Sequence, residues 1–292
     1  MEPLITECAT DWYRVLKQER KSEHTVATYN TAIRGLVAEI GNVGISTVTR
    51  ARVRDYLSKQ LELHSASTAA TRYRALSSFF AWCVREGELE ENPMIGIKAP
   101  KVPIEPPDVL TNSEIERLFN SCRGVTFRDR RDAALIHFLL ATGARISEAV
   151  GMHVEDIDRD AGIVLLKGKG NKRRPVPLGS KTQTVMDRYL RARRRHRLTE
   201  LPELWLAERG PLTRSGAYQA IVERGKVAGV RVYPHQLRHT FAHRFRAKGG
   251  GVDDLMELAG WARVDMALRY GKSAAQERAI NAHKRLGIGD DF

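Results

Sequence analysis

A proline-rich segment between residues 93 and 107 divides this chain into two parts. Five of its fifteen residues are proline, and each proline removes a backbone amide donor and disfavours helix in the residue before it. The segment therefore predicts an extended linker. The full length of 292 residues suits two domains, since one domain usually takes about 100–200 residues. We place a helical domain at residues 1–95, the linker at 96–107 and a second domain at 108–292.

The first part has the residue pattern of helices throughout. Between Ser22 and Ile40, apolar residues recur at intervals of three and four along one helix face. Ser22 suits the N-cap of this helix, and Gly41 suits its end. The pattern indicates a small helical bundle that carries no chemistry of its own. Further helices are predicted over residues 10–18, 49–63 and 67–85.

The second part mixes helices with a little β-structure. Thr111 and Glu114 have the spacing of a capping box at a helix start. Residues 163–166 and 174–178 flank a Gly-Lys-Gly-Asn turn, which predicts a β-hairpin. The predicted fold class is mainly α with a small β-sheet: a helical N-terminal domain plus an α+β domain. Helices are predicted over residues 129–142, 180–195, 213–227, 234–248, 252–260 and 274–286.

The charge distribution indicates a polyanionic partner. The chain has 48 Lys and Arg against 35 Asp and Glu, which gives a net charge of +13. Residues 1–107 hold fourteen of these cations and thirteen of the anions, so nearly all the excess lies in the second domain. A strongly basic domain favours nucleic acid as partner. The basic run at residues 191–197 is predicted to form a solvated helix face.

Several other classes of protein are disfavoured. The longest nearly apolar run, residues 133–141, is interrupted by His137 and is far shorter than the roughly 20 residues that span a bilayer. The N-terminus lacks the basic and apolar regions of a signal peptide. The three cysteines stand singly, which argues against a disulfide framework or a cysteine-based zinc site. We therefore expect a cytoplasmic protein without a membrane partner.

Residues suited to chemistry are concentrated in the second domain. Each segment is weak evidence alone, because an arginine near a helix start, a lysine in a glycine turn or a lone tyrosine is most often structural. The segments are 141–148 (ATGARISE), 167–178 (KGKGNKRRPVPL), 234–240 (PHQLRHT) and 258–261 (LAGW), followed by Tyr270.

Together these segments suit a reaction at one phosphodiester. The guanidinium groups of Arg145 and Arg238 can fork onto the non-bridging oxygens. A tyrosine hydroxyl is a covalent nucleophile when its proton can be lost. A lysine at a hairpin tip can protonate the leaving oxygen, and a histidine nearby can donate or accept a proton.

A metal site at the histidines of the third segment is the alternative that needs separate treatment. His235, His239 and His243 are four residues apart on a predicted helix, and this spacing can bind zinc. No glutamate follows the first histidine, and Arg238 would bring a cation close to the metal. We therefore predict no metal and no cofactor.

The four segments closely resemble the motifs of the tyrosine recombinase, or phage integrase, family. Thr-Gly-x-Arg-x-Ser-Glu, Gly-Lys-Gly-Asn-Lys-x-Arg and His-x-Leu-Arg-His occur here in the family's order, and a tryptophan precedes the last tyrosine by nine residues. The resemblance spans essentially the whole chain, and it implies these catalytic residues: Arg145, Lys169, His235, Arg238, Trp261 and Tyr270.

The resemblance also implies a role for each residue. Arg145 and Arg238 would hold the scissile phosphate, and Lys169 would protonate the 5′-oxygen. His235 would assist proton transfer, with Tyr270 as one candidate source of the proton. Tyr270 would attack phosphorus and form a 3′-phosphotyrosyl link.

Trp261 departs from the acid–base part of this scheme, and the identity of the catalytic lysine stays open. Trp261 stands where the family keeps a histidine or a tryptophan. An indole donates one N–H and exchanges no proton at neutral pH, so it can only orient, pack or hydrogen-bond. Lys172 is the second candidate for the lysine role.

The function implied is site-specific recombination of double-stranded DNA by a homo-tetramer on two paired sites. Residues 1–95 resemble the family's core-site-binding domain, and residues 274–286 the helix that it exchanges between subunits. The early start of the first domain resembles the simple Xer-type enzymes, so we expect no arm-binding domain. A small phage or transposon integrase is equally compatible with this size. A non-catalytic site-specific DNA-binding protein and a topoisomerase IB-like strand relaxer are the alternatives. The target site, the direction of recombination and the need for an accessory protein stay open.

Overall fold

The computed structural model describes residues 2–103, 106–168, 173–273 and 275–287. It divides the chain into two compact units between residues 105 and 106. The predicted fold class is confirmed, because the described residues are mainly helical with one small antiparallel sheet. The helices of the first unit are α1 Ile5–Gln18, α2 Glu23–Ile40, α3 Arg50–Leu63 and α4 Ala66–Arg85.

Local capping explains where the helices of the first unit begin. The Ser22 hydroxyl accepts a hydrogen bond from the amide of Thr25 at 3.2 Å, so α2 starts where the sequence predicts. Helix α1 instead starts at Ile5, five residues before the predicted position. The Glu7 carboxylate accepts the amide of Leu4 at 2.8 Å and thereby satisfies a donor that would otherwise lack a partner.

The core of the first unit is built around stacked aromatic rings. Trp12 of α1 stacks on Tyr29 of α2 with centroids 5.1 Å apart, and it lies 5.3 Å from Phe79 of α4. Each fully buried aromatic contributes about 1.5–3 kcal/mol of hydrophobic stabilisation. These contacts hold three of the four helices of the unit together.

The second unit arranges further helices around a small sheet. Its chain order begins with two helices and a short third, passes through the sheet, and ends in a series of helices. The elements are α5 Asn112–Asn120, α6 Phe127–Thr142, α7 Ile146–Val150, β1 Ile157–Asp158, β2 Ile163–Lys167, β3 Arg173–Pro177, α8 Ser180–Arg193, α9 Arg214–Ala228, α10 Pro234–Ala247, α11 Val252–Ala259, α12 Val264–Ser273 and α13 Ala275–Leu286.

The predicted hairpin is confirmed as the β2–β3 pair. The strands are antiparallel, with Val164 opposite Val176, and both side chains are buried. The two-residue strand β1, which the sequence pattern did not indicate, pairs with the other edge of β2. Residues 169–172 join β2 to β3 and lie outside the described residues, so the predicted Lys169 and its alternative Lys172 stay predictions.

A buried core runs through the second unit, and a smaller one forms beside it. In the larger core, helix α6 buries Leu135 and Phe138. The smaller cluster joins α10, α11 and α12 and contains Trp261 and Tyr270. None of the described helices combines the length and the apolar character needed to cross a membrane.

The basic run at residues 191–197 is not the uniformly solvated face that the sequence suggests. Arg193 at the end of α8 is only 5% exposed. Its guanidinium organises the turn after α8, because it satisfies carbonyl groups that have no helical partner. The guanidinium donates to the backbone oxygens of Thr199, Leu201, Glu203 and Leu204.

Replacing Arg193 with leucine should lower the free energy of unfolding by at least about 1–3 kcal/mol, because buried carbonyl groups lose their donors. Urea unfolding of the full chain measures the loss. Arg195→Leu is the matched control, since Arg195 belongs to the same run and is exposed; its change should stay within about 0.5 kcal/mol. Equal changes in the two variants would contradict a structural role for Arg193.

Candidate active site

Arg145 is positioned by the turn between α6 and α7. Helix α6 ends at Thr142, and Gly143 takes a left-handed conformation with φ of +60°. A side chain at this glycine would also meet the Phe241 ring, so the turn requires glycine. Arg145 then occupies the N-cap position of α7, and its side chain remains 44% exposed.

Arg238 lies deeper, on α10, and is 2% exposed. Its guanidinium donates to the backbone oxygen of Gly143 at 2.5 Å and to that of Ala259 at 2.7 Å. It also lies 5.1 Å from the centre of the Trp261 ring, which is a cation–π distance. Burial and repulsion from Arg145 lower the pKa of Arg238 to about 10, so the group is still cationic at neutral pH.

The last turn of α11 binds three arginine side chains on three successive carbonyl groups. Arg174 of β3 donates to Leu258 O at 2.9 Å, and Arg238 to Ala259 O. Arg145 donates to Gly260 O at 3.4 Å. The last carbonyls of a helix lack intrahelical partners and form the negative end of its dipole. We call Arg145, Arg174 and Arg238 the arginine cluster.

The carboxylate of Glu148 neutralises part of the positive charge of the arginine cluster. It accepts both Nη atoms of Arg174, at 3.3 and 2.7 Å. It also accepts the Arg145 guanidinium at 2.6 Å and the Arg145 amide at 2.9 Å. Burial raises the pKa of Glu148, but the bonds from Arg174 and Arg145 outweigh burial and lower it below 4.5. The carboxylate is therefore charged at neutral pH.

Glu148→Gln should destabilise the protein by about 3–5 kcal/mol at pH 7, because it leaves the buried Arg174 without its counter-ion. The folded-state pKa of Glu148 is lowered, so its contribution is present above the unfolded value and is lost as pH falls through the folded value. Urea unfolding of both proteins at several pH values measures this. A gap between them that stays constant on acidification below about pH 4.5 would contradict the ion pair as its cause.

Tyr270 lies on α12 and packs against Trp261. The two rings stack with centroids 5.2 Å apart and planes 6° from parallel, and Tyr270 is 3% exposed. The sequence pattern did not indicate α12. Burial raises the pKa of Tyr270, while Arg269 and Arg238 act in the opposite direction. The cations thus favour the tyrosinate in an otherwise apolar setting.

Two histidines one turn apart on α10 contact different parts of the site. His235, near the start of the helix, is exposed, and its ring meets that of His239 edge to face at 4.3 Å. His239 Nδ1 is hydrogen-bonded to Tyr270 Oη. Burial, followed by repulsion from His235, Arg269 and Arg238, lowers the pKa of His239 to about 4, so its imidazole is neutral at physiological pH.

The pKa of His235 is lowered as well. Partial loss of hydration is the largest cause, and repulsion from Arg238, Arg145 and Arg269 adds to it. Both imidazoles therefore have a nitrogen that can accept a proton at neutral pH.

A cavity of about 350 Å³ opens over part of the site. Arg145, His235 and Arg238 line it, together with Tyr218 and Tyr233. Guanidinium and imidazole donors on the wall of one cavity suit an anionic group such as a phosphate.

The structure thus brings together most of the residues predicted from the sequence, and it adds three that were missed. His239 stood in a motif already noted, one turn after His235. Glu148 and Arg174 also lay inside noted segments, but only their tertiary contacts reveal their place. In the part of the chain that the structure describes, no group of three or more His, Cys, Asp and Glu side chains could hold a metal ion.

Comparison with known proteins shows the family of this chain. Residues 108–277 match the model of the "Phage integrase family", and residues 9–87 match "Phage integrase, N-terminal SAM-like domain". The chain belongs to the phage integrase family of tyrosine recombinases. The prediction of a site-specific recombinase, and so of an enzyme, is confirmed at the level of this family.

Other members of the family match this chain over most of its length. Tyrosine recombinase XerD of Bifidobacterium longum (strain NCC 2705) is 33% identical over 281 residues, which cover 89% of this chain and 91% of that protein. Tyrosine recombinase XerC of Bacillus licheniformis (strain ATCC 14580) is 31% identical over 286 residues, which cover 93% of this chain and 94% of that protein.

Solved structures of the family share the fold. A lambda integrase dimer (75–356) bound to a COC′ core site matches with a TM-score of 0.76 and 16% identity, over 92% of this chain and 95% of that one. The XerH site-specific recombinase bound to palindromic difH substrate matches with a TM-score of 0.75 and 21% identity, over 88% and 79% of the two chains.

Proposed function

We propose that the protein cuts one DNA strand with Tyr270 and rejoins it to the end of another strand at a specific recombination site. The observation that carries this proposal is a chain of contacts through one indole. Arg238 lies over the Trp261 ring, and the same ring stacks on Tyr270. A cation suited to a phosphate is thereby held close to an oxygen suited to attack it.

The reaction follows from these positions. Arg145 and Arg238 bind the non-bridging oxygens of the scissile phosphate from the cavity that they line. Tyr270 Oη attacks phosphorus, the bond to the 5′-oxygen breaks, and that oxygen leaves with a proton. A 5′-hydroxyl from the other strand later attacks the phosphotyrosyl group and releases Tyr270. Because one phosphate ester replaces another at each step, the reaction needs no cofactor.

Trp261 orients the nucleophile in this scheme. Its ring contacts both Tyr270 and Arg238, and its N–H group does not ionise at neutral pH. Lys169 protonates the leaving oxygen. His235, on the wall of the cavity, donates or accepts a proton beside the phosphate. Acid–base work is therefore divided among side chains other than the indole.

Double-stranded DNA is the partner that the charge distribution supports. The excess of cations lies almost wholly in residues 108–292, where phosphate contacts release counter-ions from the duplex. The first unit, whose residues 9–87 match an integrase N-terminal domain, acts as the core-site-binding domain. Residues 96–107 link it to the catalytic domain. We place the reaction in the cytoplasm.

Assembly on paired sites is supported by the end of the chain. Helix α13 presents Ile280 and Leu286 to solvent, each about half or more exposed, and such residues suit a contact with another subunit. A lambda integrase tetramer bound to a Holliday junction shares the fold at 15% identity. We propose a homo-tetramer in which α13 packs against a neighbouring subunit; an accessory protein is a further proposed partner.

Covalent capture of DNA tests the function and finds the site. A pool of random-sequence duplexes is incubated with the protein in EDTA, and adducts that resist SDS are isolated and sequenced. We expect a shared sequence among the captured duplexes, and strand exchange between two copies of it. Binding of one sequence without an adduct would instead support the non-catalytic DNA-binding protein.

A further inference from the structure

We propose that His239 is a catalytic residue that takes the proton from Tyr270 as Oη attacks phosphorus, and returns it when the tyrosine leaves. This inference rests on the proposed function and assigns one proton transfer within it. Its basis is the hydrogen bond between His239 Nδ1 and Tyr270 Oη, a contact with the reacting atom itself.

The geometry of α10 divides two tasks between two histidines. His235 lines the cavity with Arg145 and Arg238. His239 is one turn further along the same helix, is partly buried, and faces the tyrosine. The edge-to-face contact of the two rings keeps the pair together. A single imidazole would have to serve both the phosphate and the nucleophile, whereas two on one helix face serve each separately.

The protonation state of His239 suits an acceptor. A neutral imidazole with hydrogen on Nε2 has a lone pair on Nδ1, and it can accept the Tyr270 proton there. Burial and nearby cations keep this imidazole neutral in the protein without DNA. A bound phosphate offsets the repulsion from Arg238, so the imidazolium becomes easier to form when substrate arrives.

The step balances without a further reagent. The Oη–P bond forms while the Oη–H bond breaks, and the proton moves to Nδ1. The bond from phosphorus to the 5′-oxygen breaks at the same time, and that oxygen takes a proton from another donor. When the 5′-hydroxyl of the new strand attacks, the imidazolium returns its proton to Oη as tyrosine leaves.

Two substitutions separate proton transfer from positioning. Asparagine at position 239 places an amide oxygen near Nδ1 and keeps a hydrogen-bond acceptor, but it cannot take the proton. Leucine removes both properties. We expect His239→Asn and His239→Leu each to lose about 10²-fold or more in the single-turnover rate of adduct formation, as is typical of general-base catalysis. Full activity in the Asn variant would overturn the proton transfer.

The probe is the duplex captured by the wild-type protein, with sulfur in place of the bridging 5′-oxygen. A thiolate leaves without a proton, so this probe rescues only variants that lack the donor to the leaving group. We expect no rescue of His239→Asn. Lys169→Ala, which lacks the predicted donor, should be rescued. Rescue of the His239 variant would move its role to the leaving-group side and overturn the proposal.

Controls distinguish damage to the fold and failure of the proposed function. His243→Asn changes the next histidine on α10 and should retain the wild-type rate. Gel shifts of every variant on the same probe should show unchanged binding. Faster adduct formation in His239→Leu would mean that the contact merely restrains Tyr270, and would overturn the proposal. If wild type itself forms no adduct on Tyr270, the proposed function fails instead.

Discussion

Replacing Tyr270 with phenylalanine should abolish the covalent protein–DNA adduct while DNA binding is unchanged. Phenylalanine keeps the ring that stacks on Trp261 and so preserves the packing of α12. It removes only the oxygen that would bond to phosphorus. Without a nucleophile the adduct should fall below detection, and gel shifts on the same duplex measure the retained binding.

A suicide substrate makes this measurement sharp. When the duplex is nicked near the cleavage site, the short 5′-hydroxyl fragment diffuses away, rejoining fails and the adduct accumulates. Mass spectrometry of the adducted peptide from wild type should identify Tyr270. Tyr218 and Tyr233 line the cavity and are the competing oxygens. An adduct on either of them, or a strict requirement for magnesium, would refute the mechanism.

Arg238→Lys should reduce cleavage by about 10²–10³-fold, the loss typical of one preorganised donor to developing charge. Lysine keeps the positive charge, but it cannot form the planar fork that binds two oxygens at once. Specific binding should change little because it is spread over many phosphates. A gel shift and a single-turnover cleavage assay on one duplex compare the two losses.

The control for this variant lies on the same helix. Arg244 of α10 is exposed and donates to Asn112 Oδ1 at 2.8 Å, so Arg244→Lys changes the same group away from the cavity. It should retain near-normal cleavage. Because Arg238 also bonds two backbone oxygens, a melting curve should accompany each assay. Equal losses in binding and in cleavage for Arg238→Lys would refute a role specific to the reaction.

The parts of the fold that local signals specify were predictable from the sequence. Helix α2 has a serine cap and a glycine end, and α6 ends at a glycine in the left-handed conformation. The short α7 and the strand β1 escaped prediction because five and two residues show no period. The start of α1 depends on Glu7 in its first turn, whose carboxylate accepts the amide of Leu4.

The site was predictable to a different depth. The motifs contain Arg145, Arg238 and Tyr270 in readable order, since their spacing resembles that of a known family. No spacing indicates that Glu148 joins Arg174 to Arg145, because that bond forms only when β3 packs against α7 and α11. The same holds for His239. The residue lies in a recognisable motif, but the sequence does not indicate its contact with Tyr270, which is 31 residues away.

The three successive carbonyl groups at the end of α11 determine which sequence changes the site can tolerate. Leu258, Ala259 and Gly260 hold the arginine cluster through main-chain oxygens, which every residue type possesses. Side chains at the first two positions are therefore free to vary, within the limits of packing, without loss of the acceptors. The number of residues in this turn is not free to vary, because one inserted or deleted residue would move all three carbonyl acceptors away from their arginines. At these two positions the contacts with the arginine cluster therefore depend on the number of residues in the chain and not on their identity.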